Sequence, residues 1–264
     1  MRPIITRRPI WRQNFSTNPL INTICSSYKH LFNNHHGYGH GHGRPFSDST
    51  RPLIYPEAIN TEHYDLASYA AYAARTGLDV QSKTYIGTQY EYAVAHSLGA
   101  FGFDLKRVGG RSDCGIDLLG TWRVPSSPSP DYALRVLVQC KASGPQSATR
   151  IGPHHVRELE GAFAGAPPGW RTGPGLLAFL VSQRPATPGV RDALASSRWP
   201  MGYFMYSQSG GLQQMLWNSR AEEEGLEGMG VSIGYSDSSA KETEKRLVLT
   251  WKGKPYVAGP LLGK

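Results

Sequence analysis

What the chain has little of narrows its class before any motif is read. In 264 residues there is no stretch of about 18 consecutive apolar positions, so no membrane-spanning helix is expected. Cysteine is scarce: Cys25, Cys114 and Cys140 are odd in number, widely spaced and never in a Cys-x-x-Cys pair. That spacing argues against a disulfide framework or a cysteine zinc site, and it fits a reducing compartment with free thiols at Cys114 and Cys140. Internal repeats are absent. Acidic residues are nearly missing from residues 1–51, where Asp48 stands alone against Arg2, Arg7, Arg8, Arg12, Lys29, Arg44 and Arg51. The same arm lacks the apolar run of roughly 7–15 residues that a secretory signal requires. Its Arg, Ser, Thr and Asn content therefore reads as a mitochondrial transit peptide over 1–51.

The net charge of +8 loses most of its force once that arm is set aside, because residues 52–264 hold 21 basic and 19 acidic side chains. Bulk charge does not mark the body as a nucleic-acid binder, so any such argument must come from a site. A His/Gly tract at 35–42 has a metal-binding composition, but a flexible Gly-rich segment gives no preorganised site.

Hydrophobic residues make up 39%, enough for a packed core, while 30 Gly and 19 Pro imply many loops. Apolar spacing predicts helices over 62–75 and 84–99, then strands over 101–108, 116–124 and 132–141. A helix over 154–164, a strand over 175–182, a helix over 188–197 and a strand over 201–207 follow. Shorter strand-like segments at 212–217, 231–235 and 245–251 flank an acidic patch, Glu222 to Glu224. The order predicts an α/β fold, a mixed central sheet flanked by helices, with a C-terminal β-rich extension. The expected organisation is an arm at 1–51, a helical lead-in at 52–83, a core at 84–207 and the extension at 208–264.

Polar residues interrupt the predicted hairpin of apolar strands at three places. Asp117 follows Gly115-Ile116, and Gln139 and Lys141 end the third apolar segment. Strand alternation puts Gln139 and Lys141 on one face and Cys140 on the other, and pairing the hairpin brings Asp117 beside them. Charged groups at the ends of buried strands carry a desolvation cost that calls for a role. Metal-assisted phosphodiester hydrolysis is one chemistry that uses this set. Mg²⁺ or Mn²⁺ would take oxygens from Asp117, the Gln139 side chain and the Cys140 backbone carbonyl. Lys141 would offset charge growing on phosphorus.

Aspartate, a hairpin and Gln-x-Lys together resemble the PD-(D/E)xK nuclease superfamily, in its Mrr-type restriction endonuclease branch. Gly87-x-x-Tyr90-Glu91, Gly102-Phe103, Gly110, the run Asp113-Cys114-Gly115-Ile116-Asp117 and the helix Val156-Arg157-Glu158-Leu159-Glu160-Gly161 extend the resemblance over roughly 84–207. With the N-terminal arm, the whole resembles the fungal mitochondrial family named for being required for respiratory growth. The resemblance implies a restriction endonuclease-like core and a metal-dependent deoxyribonuclease of the mitochondrial matrix, acting in mitochondrial DNA maintenance or degradation. It makes Asp117, Gln139, Lys141 and Glu91 the catalytic and metal set, and it leaves a homodimer as an option. Two positions depart from the pattern: Ile116 stands where Pro is usual, and a neutral Gln139 binds Mg²⁺ less strongly than Glu. The alternative is therefore a nuclease-fold protein with weak or no catalysis that binds mitochondrial DNA or junctions.

Bland roles compete with these. Asp117 and Lys141 could be merely structural ions. Asp113 suits a turn beside Gly115, and Glu158 and Glu160 suit the surface of a helix. Arg107, Arg111, His154 and His155 are candidates for backbone phosphate contacts, with plain surface solvation as the competing account.

Overall fold

The computed structural model describes residues 53–56, 62–109, 115–125, 133–143, 150–171, 173–236 and 244–257. The arm with its expected transit peptide and His/Gly tract, Arg111, Asp113, Cys114 and the Pro/Ser loop at 126–130 lie outside them.

Helix α1 (Leu66–Thr76) is set at both ends by its own sequence. Asp65 accepts from Ser68 N at 2.7 Å while Ser68 Oγ accepts from Asp65 N at 3.0 Å, a reciprocal cap that starts the helix four residues later than its apolar spacing suggests. Gly77 ends it at φ 64°. Helix α2 (Lys83–Gly99) begins at Ser82, which accepts from Tyr85 N. Gly99 is its last helical residue, and Ala100 closes it in right-handed conformation.

Six strands form the main sheet: β1 (Phe103–Arg107), β2 (Leu118–Trp122), β3 (Leu134–Lys141), β4 (Leu176–Ser182), β5 (Met201–Ser207) and β6 (Gly211–Trp217). They lie in chain order, with β3, β4 and β5 parallel and the other neighbours antiparallel. Parallel neighbours need crossovers, and helices α3 (Pro153–Gly165) and α4 (Pro188–Ser196) supply them. Both cover one face, where Val156, Leu159, Phe163, Val190 and Leu194 pack on Leu119, Leu137, Ala178 and Leu180. On the other face, Tyr90, Ala93, Val94 and Leu98 of α2 pack on Leu118, Val136, Val138 and Phe179. The expected α/β fold with helices on both faces is the one observed.

Strand β6 pairs with β5, so the region read as a C-terminal extension contributes an edge to the main sheet. A short helix α5 (Ser219–Ala221) runs into a π-helical turn, Glu222–Leu226, and here the acidic patch has a structural use. Glu224 Oε2 accepts from Gly175 N at 2.7 Å, tying the turn to the start of β4. Strands β7 (Met229–Ser236), β8 (Glu244–Trp251) and β9 (Lys254–Pro255) make a separate antiparallel sheet. It joins the α2-side core through Met229, Leu247 and Leu249. Among the described residues, no helix is long and apolar enough to cross a membrane.

Candidate functional site

The β2–β3 hairpin places its polar residues by register. Leu118 lies opposite Val138, and the ladder runs on to Asp117, whose N–H donates to Val138 O at 2.9 Å. The Asp117 carbonyl accepts from Val108 N at 2.8 Å and Gly109 N at 2.9 Å. With its backbone held between β1 and β3, Asp117 turns Oδ2 onto Cys140 N at 2.6 Å. Gln139 is 5% exposed, and its Oε1 is buried with no hydrogen-bond partner. An acceptor left that way costs about 1–3 kcal/mol. Gly115 makes room for the same side chain: at φ 79°, a Cβ there would stand 2.7 Å from Gln139 Nε2.

Lys141 shares the face of Gln139, toward α3. Its Nζ meets Glu158 Oε2 at 2.9 Å, with side chains 30% and 48% exposed. Burial alone would raise the Glu158 carboxyl, but the hydrogen bond and charge of Lys141 outweigh it and hold the group below its usual range. His155 is buried on the first turn of α3, and its Nδ1 accepts from Gly152 N at 3.1 Å. Burial is the main cause of its lowered pKa, with the neighbouring His154 adding to it. The His154 ring lies 3.9 Å from that of His155, centroid to centroid. Lys141, Glu158, His155 and His154 thus gather beside Gln139 at the carboxyl end of β3.

Glu91 approaches Cys140 from the other side of the sheet, and its charge and that of Asp117 both act on the Cys140 thiol. Glu91 comes from α2, which packs on the opposite face, and its Oε2 accepts from Arg107 Nε at 2.5 Å, with the two side chains 13% and 17% exposed. Arg107 also reaches Thr88 Oγ1 at 3.4 Å and lies over the Tyr92 ring. Arg107 is therefore a largely enclosed ion-pair partner, which corrects its reading as a surface contact for phosphate. Cys140 is partly exposed as a residue, yet its thiol turns into the α2-side apolar layer. Burial pushes that thiol well up, and the charges of Asp117 and Glu91 push it further.

For a divalent cation the donors present are of the right kind in part. Asp117 offers a carboxylate, the orphaned Gln139 Oε1 a neutral oxygen, and the Cys140 carbonyl a further oxygen on the residue whose N–H Asp117 already binds. Hard cations such as Mg²⁺ take oxygens of this type and keep several waters. Among the described residues, no group of three His, Cys, Asp or Glu side chains could hold a metal ion. Glu158, expected on the surface of a helix, is half-exposed and meets Lys141, and Thr88 is a further neighbour through Arg107. Glu158 had a signal, since it lies four and three residues after His154 and His155, on one side of a helix; Thr88 had none.

The family model described as Required for respiratory growth protein 7 matches residues 82–133 and 127–234. An uncharacterised mitochondrial protein of Schizosaccharomyces pombe (strain 972) is 30% identical over 189 residues, covering 67% of this chain and 68% of that protein. No solved structure matches the chain.

Proposed function

The chain belongs to the Required for respiratory growth protein 7 family, and from that premise we propose that it is a mitochondrial, metal-dependent nuclease of PD-(D/E)xK type acting on DNA in the matrix. The observation that carries the reading is the hold of Asp117 across the hairpin on the N–H of Cys140, the residue between Gln139 and Lys141, with a buried Gln139 oxygen left over for a ligand. Asp117, Gln139 Oε1 and the Cys140 carbonyl would hold Mg²⁺ or Mn²⁺. When bound, such a cation supplies Lewis-acid activation of the phosphodiester and of water.

The remaining work falls to the chain. Asp117 and Gln139 fix the donor positions through their backbone and packing. Lys141 uses one ammonium donor on Glu158 and keeps others for a non-bridging phosphate oxygen, where negative charge develops. His155, neutral at pH 7 because burial lowers it, adds no charge that would compete with Lys141 for phosphate.

The test incubates the full chain with linear duplex, circular, single-stranded and RNA substrates in EDTA, Mg²⁺ or Mn²⁺, beside Asp117→Ala and Lys141→Ala. Expected is metal-dependent cleavage lost in both variants with folding kept. Cleavage by Asp117→Ala at the wild-type rate would end the proposal. Protease protection of the chain in intact and ruptured mitochondria checks the matrix location.

A second reading has its own observation. The Glu91 carboxylate is engaged by Arg107 and Gln139 is neutral, so the donor set carries less negative charge than the family pattern implies. A binding module that holds mitochondrial DNA without cutting it would keep tight, salt-sensitive binding in both variants and show no turnover.

A further inference from the structure

The parallel run β3–α3–β4–α4–β5 brings the starts of both crossover helices to the carboxyl end of the sheet, beside Lys141. Lys141 is the register partner of Ser182, the last residue of β4, and Arg184 follows two residues on. The Arg184 backbone is pinned on both sides: its N–H donates to Ser182 Oγ at 3.0 Å, and its carbonyl accepts from Tyr203 OH at 2.5 Å. The side chain is exposed. The starts of α3 and α4 touch, since Thr187 Oγ1 donates to Ile151 O at 3.4 Å and a Cβ on Gly189 would stand 3.0 Å from Pro153 Cγ.

Charge at these two helix starts runs against habit. A first helical turn favours acids, which complement the positive end of the backbone dipole. Neither first turn here contains one. Exposed His154 stands on the first turn of α3 and exposed Arg191 on that of α4, with exposed Arg150 just ahead of α3. Glu158 lies nearby, but Lys141 takes its charge. Among the described residues, exposed basic side chains therefore stand where the helices already project positive potential, with exposed Asp192 beside Arg191 as the nearest acid on α4, and this setting suits an anion from outside the chain. Open α/β sheets bind ligands at this end of their strands. The orphaned Gln139 oxygen, buried on the same sheet face two residues before Lys141, places the ligand-seeking donor of the Asp117 site at this same end.

We propose that Arg150, Arg184 and Arg191, with His154 on the first turn of α3, form a phosphate track that holds a nucleic-acid backbone leading away from the Asp117–Lys141 site. The track rests on the nuclease reading for its substrate, and it moves the binding face from Arg107 on the β1 side to the α3–α4 end.

Binding is read without cutting, by fluorescence anisotropy of the full chain in EDTA. The probes are a labelled single-stranded oligodeoxynucleotide, its duplex and the RNA of the same sequence, each at several KCl concentrations. The expected result is at least tenfold weaker binding in Arg150→Gln/Arg184→Gln/Arg191→Gln. Its log affinity against log salt slope should be shallower by about 0.9 per lost contact on duplex or about 0.7 on single strands. The matched control is Arg198→Gln, an exposed arginine just past the far end of α4, which should bind as wild type. The single Gln variants report the same contacts should the triple variant fold poorly. Unchanged affinity and slope, equal loss in Arg198→Gln, or no binding by the wild-type chain overturns the track. A parallel Mg²⁺ cleavage assay separates the two ideas. A wild-type chain that never cuts, but whose binding depends on the three arginines, removes the nuclease reading and keeps the track. A chain that cuts, with binding indifferent to them, does the reverse.

Discussion

Gly115 shows how closely single residues set the candidate site. Its φ of 79° is a region that side-chain-bearing residues avoid, and its open side is filled by the Gln139 amide. Gly115→Ala should combine backbone strain with displacement of Gln139, a loss of about 1–3 kcal/mol by urea unfolding. Mn²⁺ affinity, read by calorimetry, should fall along with stability. A loss under about 0.5 kcal/mol with unchanged Mn²⁺ binding would mean that Gln139 is not held where the site needs it. Arg107 makes the complementary case. It neutralises Glu91 in a largely enclosed setting, and removing one partner of such a pair strands the other charge. Arg107→Gln should cost about 3 kcal/mol, and the double variant with Glu91→Gln should recover much of it. If the double variant is as unstable as the sum of the two singles, the pair is not coupled and the contact with Thr88 and Tyr92 carries the effect.

At the scale of elements, much of the architecture is legible because the elements carry their own signals. Strand β3 reads from its apolar, β-branched run, and Asp117, Gln139 and Lys141 stand out as polar residues that such strands do not otherwise end on. Strand β6 reads as a strand, but which sheet it joins depends on pairing with β5, which no local pattern encodes. Pairings across elements are equally hidden. Arg107–Glu91 and Lys141–Glu158 link residues 16 and 17 apart in sequence through helix-on-sheet packing, so Arg107 looks like a surface cation and Glu158 like a solvated one. The half-exposed Lys141–Glu158 pair should be a weak brace between β3 and α3. A double-mutant cycle with Lys141→Met and Glu158→Gln should give a coupling of about 0.2–1 kcal/mol. A coupling above about 2 kcal/mol would make the pair chiefly structural and would weaken the case that Lys141 is kept for phosphate.

The whole molecule should feel acid through two histidines on opposite sides of the sheet. His155 packs at the start of α3, and His63 is buried among Tyr69, Tyr72 and Tyr92, with its Nδ1 2.7 Å from Tyr92 OH. Both have lowered pKa values, mainly through burial, with Arg107 adding to the effect at His63 and His154 at His155. In the unfolded chain each titrates near about 6.5. Between that value and the lower folded one, the unfolded chain takes up the proton first, so stability rises with pH across this window. It is fully present above the unfolded value and declines as pH falls through it. Urea midpoints of the full chain at pH 5, 6, 7 and 8 should therefore climb and then level off above pH 7. His63→Gln and His155→Gln should each flatten part of the rise, and the double variant most of it, because their sites are far enough apart to act independently. A wild-type profile that is flat from pH 5 to 8, or one that both variants leave unchanged, would show that these rings titrate alike folded and unfolded. The start of α3 would then be open enough for His155 to charge beside Lys141.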